Sequence, residues 1–309
     1  MNIVIGSRKS DLAMWQTRHV ADRLHQAGIN TDIVPIDTMG DRVLDTAIAK
    51  IGAKGVFTEA LEDKLASGEI DIAVHSAKDM PSVLPEDLTL IAFTERERPA
   101  DVLIGHGPLA IDDPGRPVAI GTSSVRRQAM LRRHFPHVRV VDIRGNVRTR
   151  IQKMEAGLCD GIIMAYAGIH RMGLDDLIVR TFPEDLFIPP VGQGCIAVEA
   201  SRQLAPEKKE AVRARVNHPA SEACLLAERA FLRRLEGGCS IPAFALARLD
   251  GQTLALSGGL MSLDGRQLIS DIRRGRADRA SDLGEALGNT ILDAGGRRLL
   301  DEIMRQQVK

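Results

Sequence analysis

A short apolar strand, an amphipathic helix and a further apolar strand succeed one another before Val74, and the same alternation restarts after Pro99. Asn2 to Gly6 reads as the first strand. It leads through Ser7-Arg-Lys-Ser10 into a helix whose Ala13, Thr17, Val20, Leu24 and Ala27 recur at alternating steps of four and three, with Gly28 as the stop. A second helix carries Phe57, Leu61 and Leu65 on one face, Gly68 follows it, and Ile70 to Val74 is a continuous apolar strand. Strand, helix and strand in succession predict a parallel α/β sheet.

The segment Glu95-Arg-Glu-Arg-Pro99 reads as a linker or hinge, after which Val102 to Gly105, Pro117 to Gly121, Val138 to Ile143 and Gly161 to Ala165 predict a second α/β unit. Two prolines and a glycine in Leu186-Phe-Ile-Pro-Pro-Val-Gly-Gln193 interrupt that rhythm before a buried strand at Cys195 to Val198, where the chain is expected to cross back. From residue 219 the character changes. A helix over Ser221 to Leu235, strands near Phe244 to Leu249, Thr253 to Leu260 and Gln267 to Arg273, and closing helices predict a smaller α+β domain. The length of 309 residues fits two or three separate cores. Loop Met39 to Gly55, with Gly40, Gly52 and Gly55, reads equally as a mobile lid or as a surface loop with a helical turn.

Lysine plus arginine and aspartate plus glutamate both total 41, so no broad basic field is available to condense onto nucleic acid or anionic lipid. Arg8 and Lys9 interrupt the N-terminus too early for a signal peptide, and no apolar run approaches the roughly 20 residues of a spanning helix. Cys159, Cys195, Cys224 and Cys239 show no Cys-x-x-Cys pairing of a zinc or redox site. These features predict a soluble cytoplasmic protein with no structural disulfide, no metal and no membrane partner.

The even balance hides a local excess: eight arginines, no lysine and one acidic residue lie between Gly121 and Arg150. Arginine presents a planar fork that meets carboxylates through paired hydrogen bonds, so this stretch points to a multiply charged anionic ligand. Pro117 to Gln128 reads as strand, turn and helix start, which sets Thr122, Ser123 and Ser124 beside free backbone N–H groups, with Arg126 and Arg127 completing a cradle. Ile143-Arg-Gly-Asn-Val-Arg-Thr-Arg150 repeats the arrangement with Asn146 as a helix cap. Arg126, Arg127, Arg144 and Arg150 fall at the carboxyl ends of strands, where open α/β sheets bind ligands, and are expected to touch the ligand. Arg132, Arg133, Arg139 and Arg148 are expected on a solvated face.

Lys78 and Asp79 also follow a strand, in His75-Ser-Ala-Lys-Asp-Met-Pro81. A carboxylate among many cations suits the stabilisation of a developing positive charge, whereas His75 is expected to be structural. Glu236-Gly-Gly-Cys-Ser-Ile-Pro242 sets a cysteine on a glycine-flanked turn, consistent with covalent attachment, while the other three cysteines sit in packing patterns.

Eight motifs, in order, resemble the porphobilinogen deaminase family: Ile5-Gly-Ser-Arg-Lys-Ser10, Gly52-Ala-Lys-Gly55, Ala73-Val-His-Ser-Ala-Lys-Asp-Met-Pro81, Gly121-Thr-Ser-Ser-Val-Arg-Arg-Gln128, Arg144-Gly-Asn-Val-Arg-Thr-Arg150, Ala167-Gly-Ile-His-Arg-Met-Gly173, Val191-Gly-Gln-Gly194 and Glu236-Gly-Gly-Cys-Ser-Ile-Pro242. The resemblance implies two similar α/β domains like those of type II periplasmic binding proteins, with an active-site cleft between them, and a C-terminal α+β domain. The corresponding boundaries are 1–94 with 195–213, 100–190, and 219–309. It implies a dipyrromethane cofactor joined by a thioether to Cys239, a reaction in which four porphobilinogens lose ammonia and are linked head to tail, and release of hydroxymethylbilane for haem biosynthesis.

By motif position, Asp79 matches the catalytic aspartate and Lys78 stands beside it, both also facing the cofactor. Ser124, Arg126 and Arg127 match cofactor contacts. Arg8, Ser10, Arg144, Arg150 and Arg171 match contacts to substrate carboxylates, and Lys54 falls on the active-site loop. A monomer that binds no nucleic acid is implied. Two other readings compete: a non-catalytic binder of an organic polycarboxylate, and a nucleic-acid binder, the latter short of stacking platforms with one Trp and one Tyr.

Overall fold

The computed structural model describes residues 1–38, 58–237 and 240–307. They divide into two compact units, one formed by 1–97 with 194–222 and the other by 98–193 with 223–307.

In the first unit, β1 (Asn2–Arg8) carries Ile3 and Ile5 fully buried. Ser10 then caps α1 (Asp11–His25), its hydroxyl accepting from the Ala13 amide at 3.4 Å. The helix buries Ala13, Thr17, Val20, Ala21 and Leu24, the face its periodicity predicts, and ends before Gly28 at φ +74°. The strand β2 (Asn30–Ile36) follows, then α2 (Glu59–Ala66), β3 (Ile72–Ser76) and β4 (Leu88–Phe93). Gly6 lets α2 lie close on the sheet, since a Cβ there would stand 2.4 Å from Ile70 Cδ1 and 3.0 Å from Leu61 Cδ2.

The second unit opens with β5 (Asp101–Ile104) and β6 (Ala119–Gly121), the latter running into α3 (Val125–His134). Then come β7 (Arg139–Val141), α4 (Val147–Glu155), β8 (Gly161–Ala165), α5 (Tyr166–Arg171) and β9 (Ile178–Thr181). The chain next re-enters the first unit through β10 (Ile196–Ser201) and α6 (Pro206–Val216), and α7 (Pro219–Arg234) leads out of it.

The two five-stranded sheets have one topology. Their orders are β2-β1-β3-β10-β4 and β7-β6-β8-β5-β9. In each, three strands joined through helices run parallel, and the re-entering strand, β10 or β5, lies antiparallel to both its neighbours. The parallel pairing expected of strand, helix and strand holds for those three strands, and the re-entering strand adds an antiparallel member to each sheet. Neither β10 nor β5 is reached by a helical crossover from its own sheet, so the rule that makes such connections parallel does not govern it.

The remainder of the second unit is a three-stranded antiparallel sheet of β11 (Ala243–Asp250), β12 (Thr253–Met261) and β13 (Leu268–Arg276), followed by α8 (Ala280–Ile291) and α9 (Arg297–Gln307). Phe244 and Met261 pack into one core with Phe135, Phe182 and Phe187, where the last two rings stack at 4.2 Å. Such an aromatic pair contributes about 0.5–1.5 kcal/mol beyond its buried area. Among the described residues no helix is long and apolar enough to cross a membrane.

The turn between β12 and β13 is fastened to α3. Arg132 donates to the Leu263 carbonyl and Arg133 to the Gly265 carbonyl at 3.2 Å, so these exposed arginines are anchors rather than a bare solvated face. Gly265 has φ +74°, and a Cβ on it would stand 2.4 Å from the Ala129 carbonyl. Gly265→Ala should therefore lower stability by about 1–3 kcal/mol, read as a shift of the urea midpoint without a change of slope.

Candidate active site

The carboxyl ends of β1 and β3 converge on a pocket of about 60 Å³ in the first unit, lined by Arg8, Ser10, Gln16, His75, Ser76 and Asp79 among others. Arg8 is the last residue of β1, and Asp79 closes the single turn Ala77–Asp79 that follows β3. That turn is tied back by the Ala77 amide donating to the Cys195 carbonyl at 3.0 Å. Gln16 and Ser76 form a side-chain pair at 2.9 Å, and Thr17 donates to Ser7 at 2.7 Å. Sequence reasoning did not single out Gln16. The available signal is an amide on the helical face that Ala13, Val20 and Leu24 bury, a position where a polar group needs a partner.

Arg8, Ser10 and Asp79 are thus brought together, with half-buried Lys78 next in the chain. A guanidinium and a hydroxyl can hold a carboxylate, and a carboxylate alongside can accept an N–H or face a cation.

In the second unit the helix starts form as the pattern predicts. Ser124 caps α3, accepting from the Arg127 amide at 3.5 Å, and Asn146 caps α4, accepting from the Thr149 amide at 3.0 Å. Ser123 joins the two turns: its hydroxyl donates to the Ile143 carbonyl at 2.6 Å and accepts from the Ile143 amide at 3.1 Å. Arg144 and Arg150 are half-buried, the first bonded to Asp142 at 2.9 Å and the second to the Gly145 carbonyl at 2.7 Å, whereas Arg148 and Arg139 are exposed. Arg171 is half-buried at the end of α5.

Arg126 and Arg127, expected to touch the ligand, have protein partners. Both turn inward onto Asp101, which is fully buried: Arg126 Nη2 lies 2.6 Å from one carboxylate oxygen and Arg127 Nη2 2.7 Å from the other. Arg126 also donates to the Ile188 carbonyl at 2.8 Å, Arg127 to the Ile163 carbonyl at 2.9 Å, and Gln193 adds a bond to Asp101 at 2.9 Å. The physical reason is the first residue of β5, whose buried carboxylate requires compensation that two adjacent guanidiniums supply. Burial alone would raise the Asp101 pKa, but the charges of Arg126 and Arg127 and their hydrogen bonds hold it well below the ordinary carboxylate range.

Lys54 and Cys239, like the loop from Met39 to Gly55, lie outside the described residues. Nearby in the chain, a Cβ on Gly237 would stand 2.6 Å from Leu232 Cδ1, and Gln307 donates to the Ser240 carbonyl. Cys159, Cys195 and Cys224 are buried, as their apolar settings predict, and burial pushes the Cys159 thiol up, away from reactivity.

Residues 3–208 match the family model described as porphobilinogen deaminase, dipyromethane cofactor binding domain, and residues 222–293 match the model of the porphobilinogen deaminase C-terminal domain. The chain belongs to the porphobilinogen deaminase family. Curated members named porphobilinogen deaminase include one from Desulfosudis oleivorans, 70% identical over 99% of this chain and 99% of its own. Others come from Cytophaga hutchinsonii, 48% identical over 97% of this chain and 96% of its own, and from Syntrophomonas wolfei, 44% identical over 97% and 98%.

Family membership makes the chain a transferase of tetrapyrrole biosynthesis with a dipyrromethane cofactor. The side chains present fit such a group. A dipyrromethane offers pyrrole N–H donors and carboxylate acceptors, and the pocket of the first unit supplies the complementary Asp79 acceptor with Arg8 and Ser10 as donors.

The Asp101 network carries its own test. Asp101→Asn leaves two buried guanidiniums short of their counter-charge and should cost about 3–5 kcal/mol, measured by urea denaturation. In the unmutated protein the carboxylate's contribution should be present above about 3.8, its ordinary value, and decline as pH falls below it, because the folded pKa is depressed.

Proposed function

We propose that the chain deaminates porphobilinogen and joins four units head to tail on a dipyrromethane bound through Cys239, releasing hydroxymethylbilane. The single observation that supports this reading best is the placing of Asp79 with Arg8 and Ser10 in one pocket at the ends of β1 and β3. Each porphobilinogen carries an acetate and a propionate, which suit the guanidinium of Arg8 and the hydroxyl of Ser10. The same carboxylates suit Arg144, Arg150 and Arg171, with Ser124 at the head of α3.

The carboxylate of Asp79 accepts the pyrrole N–H and faces the positive charge that develops as ammonia leaves the aminomethyl carbon. A fixed negative charge lowers that barrier because it needs no reorganisation at the moment of reaction. Lys78 beside it supplies an ammonium for the carboxylates of the incoming unit, and Lys54 acts from the active-site loop. The cofactor, when bound, supplies the pyrrole carbon to which the first unit is joined. Arg126 and Arg127 serve in this reading through Asp101, which holds the start of α3 and hence Ser124 in place. The enzyme acts as a cytoplasmic monomer, without nucleic acid, and is organised as the three domains 1–94 with 195–213, 100–190 and 219–309.

Intact-mass measurement distinguishes this from a polycarboxylate binder. The purified protein should carry an excess equal to two linked pyrrole units, absent in Cys239→Ser; a mass equal to the bare sequence in active protein overturns the tether. Asp79→Ala should retain the fold by circular dichroism yet lose turnover by on the order of 100-fold or more. Production of hydroxymethylbilane at the unmutated rate by that variant would refute the role of Asp79.

A further inference from the structure

The end of α3 and the turn between β12 and β13 border a second cavity, of about 660 Å³, whose residues take no part in the reaction above. Arg132, Arg133 and His134 contribute to it from the last turn of α3, and Asp264, Gly265 and Arg266 from the β12–β13 turn. Three guanidiniums against one carboxylate leave the lining with two uncompensated positive charges. Asp264 is committed to its own turn: one of its oxygens accepts the Ser262 hydroxyl at 2.6 Å and the Arg266 amide at 3.1 Å. Those bonds hold its carboxyl below the ordinary range, so it stays ionised. Arg266 Nε stands 3.6 Å from the other oxygen, beyond hydrogen-bond distance, on a side chain that is 87% exposed.

Most exposed charges define nothing more than a solvated face. Here the forks are held and the walls are fixed. Arg132 donates to the Leu263 carbonyl, and Arg133 Nη1 to the carbonyls of Gly265 at 3.2 Å and Arg266 at 3.4 Å. The Ser262 amide closes the turn on the Gln267 carbonyl at 3.0 Å, and Gly265 packs so tightly on α3 that a Cβ would stand 2.4 Å from the Ala129 carbonyl. A guanidinium carries five N–H donors, and these bonds use only part of them. Burial and the charge of Arg133 push the His134 imidazole below its ordinary 6.5, so near neutral pH it adds an N–H donor rather than a further cation. The carboxyl end of α3 brings about half a negative charge, which the uncompensated guanidiniums exceed.

We infer that this cavity is a binding site for a small organic anion carrying two or more carboxylate or phosphate groups. Planar forks meet either group through paired hydrogen bonds, and forks already held by carbonyls lose little freedom on doing so. The volume falls within the range of about 300–1,000 Å³ usual for small-molecule sites, which suits a body bearing several charged groups rather than a lone ion. Like charges gathered in one concavity repel, and an anion between them relieves that repulsion. The inference does not depend on the function proposed above.

The test uses the cofactor-loaded enzyme, titrated calorimetrically with citrate as the polycarboxylate and with inorganic pyrophosphate as the phosphate compound, at an ionic strength held constant with sodium chloride. Saturable binding of at least one probe is expected, with a rise of Tm as it is added, because a ligand of the folded state alone stabilises that state. Arg266→Gln removes a charged donor and should weaken binding by on the order of 10-fold. Asp264→Asn keeps an acceptor oxygen for Ser262 and Arg266 while deleting the charge that opposes the ligand, and should tighten binding by about 3- to 10-fold. Both variants should keep the turnover of the unmutated enzyme when no anion is added. The probe bound more tightly identifies the group recognised. Occupancy of the proposed porphobilinogen site by the same probes is insensitive to both substitutions, so the variants separate the two sites. No binding of either probe, or an affinity that either substitution leaves unchanged, would overturn the proposal.

Discussion

The ion cluster on Asp101 is the constraint around which the second unit is arranged. A carboxylate with no exposed surface at the first position of β5 must be balanced, and Arg126 and Arg127 do so from the first turn of α3. The same guanidiniums reach the Ile188 and Ile163 carbonyls, and Gln193 brings in the segment before the chain leaves the unit. Glu228 of α7 extends the logic, its two oxygens accepting the Gly192 amide at 2.9 Å and the Ala247 amide at 2.7 Å, which ties β11 to the same segment. Removing one member of such a group leaves the others charged or polar and unpaired, so the network fixes one arrangement even where its net contribution to stability is small.

Most α/β strands that the residue pattern reveals are buried on both faces, the edge strand β7 being an exception. β1, β3, β6, β8 and β10 read as apolar runs because helices cover them. β2, β4 and β9 escape that criterion, and all three are edges of their sheets. β2 alternates exposed and half-buried residues and contains Pro35, which an edge tolerates because one side of its backbone needs no ladder bond. β9 is half-buried throughout and carries Arg180. Periodicity reports burial, and an edge strand has too little of it to be distinctive.

The candidate site was legible unevenly, for a related reason. Asn146 could be placed as a cap because capping depends on the next three residues alone. Asp79 could be placed because strand ends in α/β sheets gather ligands, and Arg8 through the resemblance of its motif to the family. His75 was expected to be structural, and its pairing with Glu199 depends on β3 and β10 lying side by side, a neighbourhood created by residues 124 apart in the chain. Gln16 is legible only once Ser76 is known to face it.

The sequence by itself determined the succession of buried strands and helices, the two α/β units and the family, because hydrophobic period and motif order are local or linear properties. Only the tertiary structure decided what each arginine does. Arg126 and Arg150 look alike in a run of cations, yet one is buried against Asp101 and the other is half-buried with its Nε on a neighbouring carbonyl. A charge's role is set by what stands within about 4 Å of it and by how much water remains there, and neither is written in the residues on either side.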